Sequence, residues 1–387
     1  MTDRSDLPAG STSDPEVASG RVEPAEAPDR TRVFPCGSCG ADLRFDPGVQ
    51  TLRCPFCGAA EALEADPAAI EEQDFEAMIR RLAELRERGR EDAVELREVD
   101  CAACGATTRF TGTLTADTCA YCGAPVQPSD AHVATHRVPV DGVLPFRIER
   151  ASARERLRTW VRSLWFAPTE FTRRGVEGRF QGVYLPYWTF DAQTHTEYSG
   201  LRGDHYWVTR GSGKNKRSVR KTRWTPAAGR FRKLFDDVQV VATTGLPPSR
   251  LAALEPWPLE DCRPFSPELL AGFQSRTYDI DLESGFQGAR SAIDGDLRGE
   301  VRGRIGGDTQ QILQMNTAYE GVTYKHLLLP VWLLGYRWKD KVYQILVNAV
   351  TGEVQGDRPY SWLKIAGAVV GVATVVALVL AIRALAG

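Results

Sequence analysis

The sequence predicts an α+β fold, with small cysteine-rich modules ahead of the main domain and one apolar helix behind it. Three observations predict this. Eight of the nine cysteines lie between Cys36 and Cys122, all nine tryptophans lie from Trp160 onward, and Ile365 to Ile382 carries no charge. The 387 residues leave room for two or three domains. The net charge of −2 excludes a globally basic nucleic-acid binder but not a local basic patch.

Residues 1–32 hold Pro8, Pro15, Pro24 and Pro28 among Ser, Asp and Glu, with no aromatic. Such a segment buries too little apolar surface to offset its ordering entropy, so it reads as a disordered tail. No basic stretch precedes an apolar run there, so no secretory signal peptide is expected.

The cysteines form a repeat. Cys36-Gly-Ser-Cys39 and Cys54-Pro-Phe-Cys57 are separated by fourteen residues, as are Cys101-Ala-Ala-Cys104 and Cys119-Ala-Tyr-Cys122. Each cysteine of the second set stands 65 positions after its counterpart, and every pair is followed by Gly-Ala. A C-x2-C turn aims two thiolates at one point, and two such turns complete a tetrahedral site. Cys36, Cys39, Cys54 and Cys57 are therefore expected to hold one structural Zn2+, and Cys101, Cys104, Cys119 and Cys122 a second, in ribbons over 33–65 and 100–128. Iron would take the same ligands, and disulfides would need an oxidising compartment. Four thiolates leave no position for a reacting water, which argues against a zinc hydrolase.

Between the ribbons, 66–99 reads as a charged linker helix. Asp66-Pro67 starts it, Gly89 stops it, and Phe75, Met78, Ile79, Leu82 and Leu85 form a narrow seam. The seam either packs internally on the ribbons or presents a coiled-coil partner surface. Residues 138–361 read as an aromatic-rich α+β domain, with helices over Ala151–Trp165 and Glu283–Ile305. Strands are expected over Val183–Tyr198, Gln310–Thr317, Val322–Trp338 and Lys341–Asn348. Leu185-Pro-Tyr-Trp188 echoes Leu329-Pro-Val-Trp332, each downstream of a helix, which suggests two related halves. The proline in each suggests an edge strand or a bulge. Cys262, alone, reads as structural.

Residues 363–384 meet the length of a transmembrane helix, with Trp362, Lys364 and Arg383 at its edges. Gly367 and Gly371 make a GxxxG pattern, which points to a homodimer face. Arg358 and Lys364 against Arg383 give a slight positive-inside bias. The expectation is a single-pass protein of the bacterial inner (cytoplasmic) membrane with the bulk of the chain cytosolic.

Lys221-Thr-Arg-Trp-Thr-Pro226, Phe235-Asp-Asp-Val238, Pro256-Trp257, Leu270-Ala-Gly-Phe273, Lys325-His-Leu-Leu-Leu-Pro-Val-Trp332 and Thr351-Gly-Glu-Val354 with Arg358-Pro-Tyr-Ser361 are further distinctive stretches. With the cysteines, they resemble a bacterial family of membrane-anchored proteins with TFIIB-type zinc ribbons. Its members are often labelled primosomal protein N′ or helicase-like, and are associated with phage-shock and flotillin-like envelope proteins. The resemblance runs from the first cysteine pair to the terminal helix. It implies a membrane-bound protein whose ribbons dock a cytosolic partner.

Enzyme readings fare worse. Gly211-Ser-Gly-Lys214 lacks two parts of a phosphate loop, with Val208 and Asn215 where Gly and Ser or Thr belong. No GxSxG elbow or HExxH pattern occurs, and His132, His136, His195, His205 and His326 read as hydrogen-bonded structural residues. No catalytic residue is expected. Arg210, Lys214, Lys216, Arg217, Arg220, Lys221 and Arg223 lie between Trp207 and Trp224 without an acid. This 210–223 stretch reads as a solvated hairpin, with anionic lipid as the next reading and nucleic acid third. The expected function is non-enzymatic recruitment of a protein partner, phage-shock or flotillin-like, in envelope maintenance. The seam is the first candidate contact and the ribbon knuckles the second. The alternative is a nucleic-acid-binding, replication-associated zinc-ribbon protein.

Overall fold

The computed structural model describes residues 34–63, 69–88, 96–100, 107–109, 117–118, 125–126, 131–134, 137–169, 179–211, 216–338, 341–357 and 360–386. The tail and Cys101, Cys104, Cys119, Cys122, Lys214 and His136 lie outside the described residues.

Strands β1 (Arg44–Asp46), β2 (Thr51–Arg53) and β3 (Ala60–Glu61) form a small antiparallel sheet in that order. After β4 (Gln73–Asp74) comes α1 (Phe75–Arg88). The short strands β5 (Leu96–Asp100), β6 (Thr107–Arg109) and β9 (Ala131–Ala134) pair in the order β6-β5-β9, and β7 (Asp117–Thr118) pairs with β8 (Pro125–Val126).

The main domain contains β10 (Gly142–Val143), α2 (Arg150–Ser163), β11 (Arg179–Arg210), β12 (Arg217–Val241), the short helix α3 (Pro248–Ala252) and β13 (Arg263–Pro264). These are followed by β14 (Gln274–Ser275), α4 (Leu282–Ile305), β15 (Thr309–Trp338), β16 (Lys341–Asn348), β17 (Val354–Gly356) and α5 (Trp362–Ala386). One sheet runs β12-β11-β15-β10-β13, with β16 and β4 also on β15, β17 on β16 and β14 on β11. The two strands expected over 310–317 and 322–338 are one strand.

The echoed motifs lie against each other. Leu185 faces Leu329 in the antiparallel β11–β15 register. The surroundings correspond on both sides. The β14 strand pairs parallel with β11 (Val183 with Gln274), just as β10 pairs parallel with β15 (Leu327 with Gly142). The Trp188 indole donates to Ile280 O at 2.9 Å, two residues before α4; the Trp332 indole donates to Ile148 O at 2.8 Å, two residues before α2. The units α2-β11-β12 and α4-β15-β16 therefore correspond as two halves.

Pro186 and Pro330 are not at an edge. Each stands where its strand changes neighbour: β14 to β12 for Pro186, and β10 to β16 for Pro330. A missing N–H there interrupts no continuous ladder. Both faces of the sheet are buried at these motifs, which is why they read as unbroken apolar runs.

The helix α4 begins on Asp281, whose carboxylate accepts Ser284 N–H at 2.8 Å, and lays Phe286, Ala289, Ile293, Leu297, Val301 and Ile305 on the sheet. Beyond Gly203, where β15 begins at Thr309, β11 and β12 continue as a two-stranded arm to Arg210 and Arg217. The β11 strand ends at Arg210 opposite Arg217 of β12, so this part of the chain joins strand to strand, whereas a phosphate loop runs from strand into helix.

The linker helix is shorter than expected, starting at Phe75 with Asp74 accepting Ala77 N–H at 2.7 Å. Among the described residues the seam from Phe75 to Leu82 packs on the main sheet, not on the first ribbon and not as an open partner surface. Phe75 meets Phe190 and Phe286 at ring-centroid separations of 6.2 and 4.6 Å, and Met78, Ile79 and Leu82 join the same cluster under α4. An apolar stripe beside an aromatic sheet face is stabilised by burying itself there.

The helix α5 is long and apolar enough over Trp362–Arg383 to cross a membrane, with none of that stretch buried against the rest of the protein. Its start is tied to the turn after α2: Ser361 N–H donates to Phe166 O and the Lys364 ammonium to Ala167 O, both at 2.7 Å.

Candidate metal centre

The first cysteine set converges. The Sγ atoms of Cys36, Cys39, Cys54 and Cys57 all lie within 4.8 Å of one another. Cys36 and Cys57 are 3.6 Å apart and Cys39 and Cys54 3.5 Å apart. A disulfide would bring sulfurs to about 2.05 Å, and these cysteines are free. A tetrahedron with Zn–S of about 2.3 Å has sulfur–sulfur edges of about 3.8 Å, so the donor set suits zinc.

Both knuckles share one backbone design. Gly40 N–H donates to Cys36 O at 2.8 Å, and Gly58 N–H to Cys54 O at 3.0 Å. Cys36 N–H donates to Ala41 O, and Cys54 N–H to Ala59 O, both at 2.8 Å. Gly40 and Gly58 adopt φ of 70° and 76°, the left-handed conformation that glycine takes without a Cβ penalty. This is the reason for Gly after each pair. Bonds from the backbone N–H groups of Cys57 and then Phe56 draw the Cys54 thiol down to about 6, and those of Ser38 and Cys39 lower Cys36. The Ala59 N–H favours the Cys57 thiolate, but the three neighbouring sulfurs outweigh it and push Cys57 up to about 12. Four thiolates crowded together need a cation to ionise jointly.

The ribbon is not freestanding. Leu43, Phe45, Leu52, Cys36 and Cys54 join one buried cluster with Phe146, α2 and Trp332. Phe45 N–H donates to Ala271 O at 2.9 Å, and the Gln50 amide to Phe146 O at 2.7 Å. The outer knuckle stays open, with Phe56 82% exposed between Cys54 and Cys57.

His195, His205 and His326 are engaged in hydrogen bonds or an ion pair. His326 is buried, with Nδ1 at 3.0 Å from Pro139 O; His195 pairs with Glu320 at 3.0 Å, and His205 Nδ1 lies 3.1 Å from Thr222 Oγ1. Cys262 packs beside an apolar cluster, and burial pushes its thiol up to about 12.

One constellation escaped sequence reasoning. Glu72, Asp191 and Asp236 bring carboxylate oxygens within 4.8 Å of one another in a cleft that Gln193, Glu320 and Thr323 also line. Burial, then the adjacent Glu72, raises Asp191 to about 7. Hydrogen bonds from the Asp191 carboxyl and then the Thr323 hydroxyl hold Glu72 down at about 2. Thus one proton is shared between them at mid pH. Lys325 pairs with Glu72 at 3.3 Å and with Asp237 at 2.8 Å, and Asp237 N–H donates to Asp191 at 2.5 Å. The cluster clamps the segment before α1 to the sheet, where Asp74 faces Thr323. The available signal was Asp236-Asp237 inside a strand, a residue type that strands disfavour.

No family model matches the chain, and no solved structure matches it. Over 347 residues it is 26% identical to a Bacillus subtilis (strain 168) protein named "Uncharacterized protein YdjG", covering 88% of this chain and 94% of that one. This is a distant homology over nearly the whole length, from which no family assignment follows.

Proposed function

We propose that the chain is a membrane-anchored scaffold of the TFIIB-type zinc-ribbon kind. Its first ribbon holds a structural Zn2+ and docks a cytosolic protein partner without catalysing a reaction. The observation that carries this reading is the four-sulfur cluster with an exposed aromatic at its outer knuckle, on a body that ends in a helix of membrane-crossing length. A closed thiolate set shapes the chain and leaves no coordination position for substrate. A partner held by Phe56 would be concentrated at the membrane by the span. By the resemblance, the partner is a phage-shock or flotillin-like envelope protein; by the span and its flanking charges the membrane is the bacterial inner membrane, and by the repeated C-x2-C spacing Cys101, Cys104, Cys119 and Cys122 hold a second Zn2+.

Phe56→Ser is the direct test. Affinity capture from detergent-solubilised membranes should recover a phage-shock or flotillin-like protein with wild type and lose it with the variant, while zinc content stays the same. Equal recovery with Phe56→Ser would remove the knuckle from the interface.

The nucleic-acid reading keeps one observation in its favour. The arm carries Arg217, Arg220, Lys221 and Arg223 on β12 with Arg210 on β11, and a two-stranded ribbon fits a major groove. Salt-resistant, sequence-specific DNA binding by the purified full chain would shift the assignment to that reading. The anionic-lipid reading of 210–223 draws less support from proximity. The arm tip is thirty residues along β11 from Phe180, near the end where α5 is tied, a path of up to about 100 Å.

A further inference from the structure

We propose that the turn after α2 is a second membrane contact, with its aromatics seated in the bilayer interface and the arginines of α2 on anionic headgroups. This rests on the reading of Trp362–Arg383 as a span. The turn is placed by that helix: its Phe166 and Ala167 carbonyls accept bonds from Ser361 and Lys364. It must therefore lie at the level where the helix leaves the domain. Trp165 there is 81% exposed and Trp362 83%, with Phe166 also open to solvent. Large aromatics with a polar edge favour the headgroup level of a bilayer, and two open tryptophans beside one apolar helix match that environment.

Charge agrees. The helix α2 carries Arg150, Arg154, Arg156, Arg158 and Arg162 against one acid, Glu155. Its apolar side, Ala153, Leu157 and Val161, is buried in the domain. Arg158 and Arg162 are exposed in the last two turns, next to Trp165. Basic side chains at that level attract anionic lipid. A single helix alone would let the domain pivot; a span plus an interfacial turn fixes its tilt, and with it the direction in which the arm projects.

The test uses the full-length protein in nanodiscs of mixed phosphatidylcholine and phosphatidylglycerol, with brominated acyl chains that quench nearby tryptophans. Trp165→Phe should lose about half of the quenched intensity, as Trp362→Phe does, whereas Trp224→Phe on the arm should lose none. Quenching unchanged by Trp165→Phe but nearly abolished by Trp362→Phe overturns the proposal and leaves the span standing. Quenching unchanged by either overturns the span reading as well. The headgroup contact is read separately. Pure phosphatidylcholine, or Arg158→Glu with Arg162→Glu in the mixed lipid, should weaken Trp165 quenching at least about twofold. Equal quenching in all three overturns the role of the arginines.

Discussion

The two halves of the domain share a frame and differ in everything attached to it. In both, a short parallel strand, a helix and a long strand surround a buried tryptophan bonded to the carbonyl two residues before the other half's helix. In the first half the helix is short and arginine-rich, and the return strand β12 runs 25 residues; in the second, α4 runs 24 residues and β16 only 8. The N-terminal segment covers them differently too: the ribbon packs on the side of α2 and Trp332, and α1 on the side of α4 and Trp188. The shared part buries aromatics, whereas the unshared parts carry the charge, the arm, the metal centre and the candidate span. A core repeated across a local two-fold leaves each half's exposed side free to take a separate role.

The strongest way to break this comparison is through the covers. Cys54→Ser should remove the metal of the first ribbon and unfold its strands, because ribbon folding draws on metal binding. The side of α2 should then become protease-sensitive while the side of α4 stays protected. Metal analysis and limited proteolysis read both, and loss of protection on both sides would deny that the covers are independent.

Trp188→Ala and Trp332→Ala come next. Each removes a buried indole and should cost about 3–5 kcal/mol in denaturant unfolding. Corresponding sites predict costs within about 1 kcal/mol of each other. A near-neutral effect of one alone would make the correspondence superficial.

Leu82→Asp should destabilise by roughly 3 kcal/mol, because Leu82 is buried under α4 and a charge there has no partner. A Leu82→Asp protein as stable as wild type would return the seam to the surface.

The carboxylate clamp gives a smaller, pH-dependent effect. The folded Asp191 lies at about 7, above its ordinary value of 3.8, so its contribution is complete below that value and is lost as pH rises through 7. The folded Glu72 lies at about 2, below 4.5, so its contribution is present above 4.5 and is lost as pH falls toward 2. Asp191→Asn should therefore raise the melting temperature by about 2–4 °C at pH 8 and change it little at pH 5. The smallest expected effect is Arg220→Ala on the arm, within about 0.5 kcal/mol, since the two-stranded arm extends beyond the sheet's shared frame.

Local features were legible. The knuckle needs only four residues and a left-handed glycine, so Cys36 to Gly58 could be read from spacing. The helices over 150–163 and 282–305 follow their apolar periods, and the repeated Leu-Pro-x-Trp identified the two halves. Pairing across distance was not legible. Glu72, Asp191 and Asp236 come from three segments, and nothing in any one names the others. The seam of α1 showed that it must be buried, not against what.

What the sequence by itself determined is therefore short-range: cysteine turns, helical stripes, a charge-free C-terminal run, and the segregation of cysteine from tryptophan. Steric and hydrogen-bonding demands within a few residues enforce these whatever the rest of the chain does. Only the tertiary structure decided that the ribbon shares the domain's core, that β11, β12 and β15 pair out to Gly203 across register shifts near Asp191 and Gly200 with β11 and β12 continuing as an arm, and that the turn after α2 meets the start of α5. Those outcomes depend on long-range burial and strand register, which many local sequences satisfy and only the assembled core selects.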